Sequence, residues 1–230
     1  MSSAESNSPL SRRQLFELFV RVALGLFFAF AAGTYFRSSY VELSKVDFTH
    51  FGTHQIGRAL SIFVIGLYTA LIASVYAVRL RPVNRFAGVF PTLAALLGGF
   101  LMAAFLFLDP REDLPVWTQL LSCALVILGN GFAFVILTQL GRSFSILPES
   151  RRLVTTGAYS VVRHPLYLAE AVASLGIAIL FLSPWAITIF ITQLAWQLAR
   201  IHYEEKVLRE NFPEYEAYAK RTKRLIPRVY

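Results

Sequence analysis

The chain has a single cysteine, Cys123, and it lies inside an apolar run. No intramolecular disulfide can form, and one thiol cannot build a Cys-based metal site. The four histidines, at 50, 54, 164 and 202, are too scattered for a recognisable metal motif, so no metal is expected. Charge is scarce as well. Only 16% of the 230 residues are charged and 56% are hydrophobic, against roughly 25% and 45–50% in ordinary soluble domains. No polar block is long enough for a separate soluble domain, and no internal repeat or low-complexity segment is present. What remains is a membrane chain, expected to form one integrated membrane domain.

Six apolar runs approach the ~20 residues needed to cross a hydrocarbon core: Leu18 to Phe36, Ala59 to Val78, Phe86 to Leu108, Trp117 to Leu137, Pro165 to Leu182 and Trp185 to Ile201. Turn chemistry marks Arg81-Pro82, Asp109-Pro110 and Ser183-Pro184. The expected fold is all-α: a polytopic transmembrane helical bundle of about six spans, with a C-terminal interfacial helix on the cytoplasmic side. Residues 1–137 are expected to form an N-terminal four-span membrane region, and residues 138–230 a C-terminal region with the last helical hairpin and the tail. Arg12-Arg13 and the Ala29-Phe30-Ala31 triplet resemble an export signal, but Glu17 and Arg21 interrupt the run and further spans follow, so an uncleaved anchor is expected.

With the N-terminus in the cytoplasm, all but four of the 22 Lys and Arg residues fall on the inner side. The exceptions are Arg37, Lys45, Arg58 and Arg111. That asymmetry places both termini inside. It also accounts for the net charge of +8 without nucleic acid as a partner.

The last two spans read as a hairpin about Ser183-Pro184. From His164 to Pro184 is 20 residues, and from Pro184 to Glu204 is again 20; at about 1.5 Å per residue each arm runs ~30 Å, one hydrocarbon thickness. RHPLY (163–167) and HYEEK (202–206) therefore return to one depth. Pro165 suits the first position of a helix, leaving Arg163 and His164 at an entrance whose free N–H groups favour an anion. Arg200 and Glu204 share a helical face, with Glu205 beside them. Such a pocket suits a ligand carrying both a carboxylate and a positive group. Taken singly, these residues also fit plainer roles: snorkelling anchors for Arg163 and His164, and solvated pairs with Arg200 and Arg209 for the two glutamates. Glu170, about one and a half turns inside the fifth span, is costly there and by default functional, either protonated or paired with Arg200.

Gly129-Asn130-Gly131 lies within a span with no preceding strand, which favours helix packing over a dinucleotide fingerprint. In the tail, Phe212, Tyr215 and Tyr218 recur at near-helical spacing among basic residues, which fits either rest on anionic lipid or closure of the pocket.

LVTTGAY (153–159), RHPLY (163–167), RIHYEE (200–205), the series Leu208, Phe212, Tyr215, Tyr218 and the closing Ile226-Pro227 together resemble the isoprenylcysteine carboxyl methyltransferase and phospholipid methyltransferase family of integral membrane enzymes. The resemblance runs from about Leu140 to Pro227. It implies S-adenosylmethionine as cofactor, bound at the cytoplasmic face by Gly157, Tyr159, Arg163, His164, Pro165 and Tyr167 on one side and by Glu204 and Glu205 on the other. It also implies that Arg200 orients a lipid-like or small hydrophobic methyl acceptor; Glu170 is a candidate base beside it. Ala169 stands where the family usually has glycine, and Arg151 and Arg152 where members acting on prenylated cysteine often have histidine, so acceptor identity does not carry over. Two other readings remain open. Membrane sterol reductases have a similar ending and bind NADPH, for which Arg151 and Arg152 could serve the 2′-phosphate. A transporter or scaffold would account for the spans but not for the convergence of charged residues at one depth.

Overall fold

A computed structural model of the chain describes residues 12–46, 53–80, 84–85, 88–109, 111, 113–146, 149–150 and 152–227. Arg81, Pro82, Phe86, Pro110, Arg151 and His50, which figured in the expectations above, lie outside the described residues.

The described chain is helical: α1 (Arg12–Ser44), α2 (Thr53–Val78), α3 (Val89–Phe100) with a 3-10 continuation (Leu101–Phe107), α4 (Val116–Leu140), α5 (Pro165–Phe181), α6 (Pro184–Asn211) and α7 (Tyr215–Arg221). A two-residue antiparallel pairing, β1 (Asn84–Arg85) with β2 (Glu149–Ser150), joins two connections. Over its described residues each of the six apolar runs is mainly helical, as a bilayer interior requires of a backbone with no water to bond. Several helices overrun the apolar run that founded them. α6 continues through the polar segment HYEEKVLREN because it contains no helix breaker, and stops at Phe212, which is extended as a residue preceding proline prefers.

Among the described residues, three helical stretches are long and apolar enough to cross a membrane: Glu17–Ser44, Gln55–Val78 and Val116–Ser143. Two shorter apolar stretches, Val89–Phe105 and Pro165–Phe181, accompany them. α6 is less apolar because it buries Gln193, Gln197 and Arg200 on its inner face. The chain is an integral membrane protein built as an all-α bundle.

Close packing is carried by glycine. At Gly129 a side chain would meet backbone of α5, with Ala169 O and Ala173 Cα both at 2.8 Å, and at Gly176 it would meet Ser122 O of α4 at 2.8 Å. Ser122 Oγ donates to Gly176 O at 2.7 Å across the same seam. The packing role expected of Gly129 is therefore the one it has. The seam also passes Ala169: the helix approach there comes from glycine on α4 rather than on α5. On the other side Gly98 brings α3 against α6, where Gln193 Nε2 donates to its carbonyl at 3.2 Å. The α5–α6 hairpin turns through Leu182 in a left-handed conformation, and Ser183 Oγ caps α6 by accepting from Ala186 N at 3.1 Å.

Candidate functional site

Pro165 opens α5 at its first turn, so Arg163 and His164 stand just outside that helix, while α6 carries Glu204 and Glu205 back to the same level. The two ends meet as the hairpin arithmetic required. Tyr167 Oη donates to Glu204 Oε2. Arg163 Nε donates to Glu205 Oε1 at 2.9 Å, and His164 Nε2 faces the same oxygen at 3.3 Å.

Beside this junction lies a cleft with about 730 Å3 of open space between its walls, mouth included. Five sequence candidates line it: Tyr159, Arg163, His164, Tyr167 and Glu204. The connection after α4 faces them with Ser145 and Arg152, and α7 contributes Tyr215 and Tyr218. Of the two roles considered for the tail tyrosines, the structure favours closure, because both are buried against the cleft.

The other candidates stand behind the lining. Gly157, at φ 63°, sits where a Cβ would run into the Gln139 carboxamide, whose Oε1 accepts from Ala158 N at 2.9 Å; glycine lets this loop lie on the end of α4. Pro165 sets the start of α5. Glu205 is fully buried and bonded to side chains. Arg200 and Glu170 lie deeper. The Arg200 guanidinium sits 4.9 Å from the Tyr167 ring centroid and donates to Ser145 O at 3.3 Å. Glu170 is held by Tyr68 Oη at 2.6 Å and by Gln197 Nε2 at 3.3 Å.

Just ahead of α5, the backbone N–H groups of Arg163 and His164 donate to Lys223 O at 2.7 Å and Arg224 O at 2.9 Å, so these two are engaged by the tail. The tail runs beside 162–164 as a short parallel bridge pairing Val162 with Lys223.

Burial by itself raises the Glu205 carboxyl, but hydrogen bonds from His164 and Arg224, the charge on His164 and the Arg163 bond outweigh it and hold the group well below the usual carboxylate range. Burial pushes the Tyr218 phenol up to about 12, against the pull of Arg163 and Arg221. Tyr159 and Tyr215 are pushed up for the same first reason. These phenols remain protonated donors at neutral pH.

Sequence reasoning missed Tyr68, Gln139, Gln197 and Arg224. Gln193 and Gln197, four apart within an apolar run, were a visible signal of an inward polar stripe. Tyr68 gave none, since a tyrosine in a span is ordinary. Among the described residues no group of three or more His, Cys, Asp or Glu is arranged to hold a metal ion.

Residues 117–215 match the family model for phospholipid methyltransferases. The match begins in α4, earlier than the motifs suggested, and takes in the glycine seam between α4 and α5. The cobalt-zinc-cadmium resistance protein CzcN of Cupriavidus metallidurans is 36% identical over 137 residues, covering 56% of this chain and 60% of that protein. The nickel-cobalt-cadmium resistance protein NccN of Alcaligenes xylosoxydans xylosoxydans is 39% identical over 82 residues, 35% of this chain and 38% of that protein. The protein-S-isoprenylcysteine O-methyltransferase of Saccharomyces cerevisiae is 40% identical over 106 residues, 43% of this chain and 44% of that protein. The chain thus spans 38–60% of the length of these relatives. The family-model match over 117–215 and the isoprenylcysteine methyltransferase relatives support the resemblance of this region to the isoprenylcysteine carboxyl methyltransferase and phospholipid methyltransferase family.

Proposed function

We propose that the chain is a membrane methyltransferase that binds S-adenosylmethionine in the cleft and methylates a lipid-like or small hydrophobic acceptor. The observation that carries this reading is the meeting of RHPLY with the glutamate pair, Tyr167 against Glu204 and Arg163 against Glu205, at one end of a membrane bundle. Relatives over the same region include enzymes named as isoprenylcysteine O-methyltransferases.

The donor set suits such a cofactor. Tyr159 and Tyr167 offer aromatic faces, Glu204 a carboxylate for an ammonium or ribose hydroxyls, and Arg152 with Arg163 the charge for a carboxylate. Gly157 and Pro165 shape the wall that presents them. The cofactor, when bound, supplies an electrophilic methyl group on a sulfonium. The protein's own contribution is to hold the two reactants in line and exclude water, which can supply most of the rate for a displacement of this kind. Arg200, below Tyr167, is placed to orient an acidic or anionic acceptor group. For an amine or thiol acceptor Glu170 is the base within the buried network, kept in position by Tyr68 and Gln197.

The distribution of basic residues supports six spans with both termini and the cleft on the cytoplasmic side. The polar cofactor then arrives from the cytosol and the acceptor from the bilayer.

The test is calorimetric titration of the detergent-solubilised protein with S-adenosylmethionine and S-adenosylhomocysteine, with NADPH in parallel. Saturable binding of the first two, weakened by Glu204→Gln, is expected. Binding of NADPH alone would convert the proposal into a reductase reading of the same cleft.

A further inference from the structure

The adjacent glutamates of α6 face different ways. Glu204 lines the cleft, whereas Glu205 turns into a buried junction of three segments. Its Oε1 accepts from Arg163 Nε at 2.9 Å and faces His164 Nε2 at 3.3 Å, on the approach to α5. Its Oε2 accepts from Arg224 Nη2 at 2.9 Å and Nε at 3.2 Å, in the tail, and from Arg209 Nη2 at 3.4 Å on α6 itself. One carboxylate is thus the shared counter-ion of side chains that would otherwise repel each other in a confined space.

The segment fastened there is short. α7 has seven residues, too few to hold as a helix without packing. It is followed by 222–224, whose carbonyls at Lys223 and Arg224 accept from the backbone of Arg163 and His164. Arg163 Nη1 adds bonds to the carbonyls of Ala219 and Thr222. Within the same unit Tyr218 Oη donates to Tyr159 O at 2.6 Å, and Tyr215 and Tyr218 form part of the cleft wall.

We infer that Glu205 is a positioning residue: it fastens the strap 222–224 to the entrance of α5 and so holds Tyr215 and Tyr218 in the cleft, acting on a bound ligand through the strap rather than by touching it. The inference rests on the cleft being the ligand site proposed above. Arg224 shares the role although it lies outside the cleft lining, and this separates the inference from direct recognition by the glutamate pair. Removing the Glu205 charge leaves three guanidinium groups close together without their common counter-ion, which favours release of the strap.

The experiment uses the full-length protein in detergent and two readouts, the dissociation constant for S-adenosylhomocysteine and limited trypsin cleavage at Lys220, Arg221 and Lys223. Expected is that Glu205→Gln and Arg224→Gln each weaken binding at least about tenfold, because losing one partner of a buried charged pair is strongly destabilising. The double variant should be little worse than either single one, since both act through one contact. Both variants should expose the tail to trypsin, Arg224→Lys should recover part of the affinity, and Glu204→Gln should weaken binding with the tail still protected. Arg224, with a side chain 30% exposed, can be replaced with less risk to folding than Glu205. Wild-type affinity in Arg224→Gln, or lost binding in Glu205→Gln with a protected tail, overturns the inference. If the wild type binds neither S-adenosylmethionine nor S-adenosylhomocysteine, the cofactor reading fails, and trypsin cleavage alone decides whether Glu205 holds the strap.

Discussion

Two glycines two residues apart on α4 make a controlled test of how the bundle sets the site. At Gly129 an added Cβ would lie 2.8 Å from both Ala169 O and Ala173 Cα of α5 and press on Ala173 N, against 3.4 Å for ordinary contact, so the helices must part by about 0.6 Å or more. At Gly131 nothing lies within 4 Å. Alanine gains up to about 1 kcal/mol of helix propensity at either position, so that contribution cancels in the comparison. The remaining difference is overpacking against rigid backbone, about 1–3 kcal/mol. α5 also carries Tyr167 and Glu170, and a displacement near 1 Å of groups that align reactants can lower a rate about 100-fold. Gly129→Ala should therefore unfold at lower temperature than Gly131→Ala in the same detergent, and bind S-adenosylhomocysteine more weakly. Equal stability and equal affinity of the two variants would refute the argument that the α4–α5 seam positions the cleft.

Tyr167→Phe removes the donor to Glu204 and leaves the ring over which Arg200 lies; since a hydrogen bond to a charged group contributes about 1.5–3 kcal/mol, cofactor affinity should fall at least about tenfold in calorimetry while the fold persists. Tyr68→Phe removes the 2.6 Å bond to Glu170 without touching the cleft lining, so S-adenosylhomocysteine affinity should hold while turnover with a competent acceptor drops. Glu205 has a depressed folded pKa, so its contribution to strap docking is complete above the unfolded value of 4.5 and is lost only as pH falls below that toward the folded value. Tail protection, followed with an acid-active protease, should be unchanged from pH 8 to about pH 5 and should decline progressively as the pH falls further toward the folded value. Loss of protection near neutral pH would contradict this.

Much of the site was legible because two spacings are stiff. A helix rises by a fixed amount per residue, so equal arms about Ser183-Pro184 had to bring His164 and Glu204 to one level, and Tyr167 meets Glu204 accordingly. Pro165 announced the start of α5 for a similarly local reason, its fixed φ and missing N–H. Side-chain direction at that level was not legible. Glu204 and Glu205 are neighbours in sequence about 100° apart on a helix, and only the positions of α5 and the tail decide which of them faces the cleft.

From sequence alone came the membrane class, the six helical runs and the residue types gathered at one end, because hydropathy, helix rise and proline chemistry act locally along the chain. Only the tertiary structure decided that Tyr68 of α2 reaches Glu170, that Gly129 presses α4 on α5, and that backbone of the tail pairs with Arg163 and His164 ahead of α5 while Glu205 gathers Arg163, His164, Arg209 and Arg224. Those contacts join segments up to 102 residues apart. They depend on which helix faces meet, a choice made by close packing across the whole bundle that no single stretch of sequence encodes.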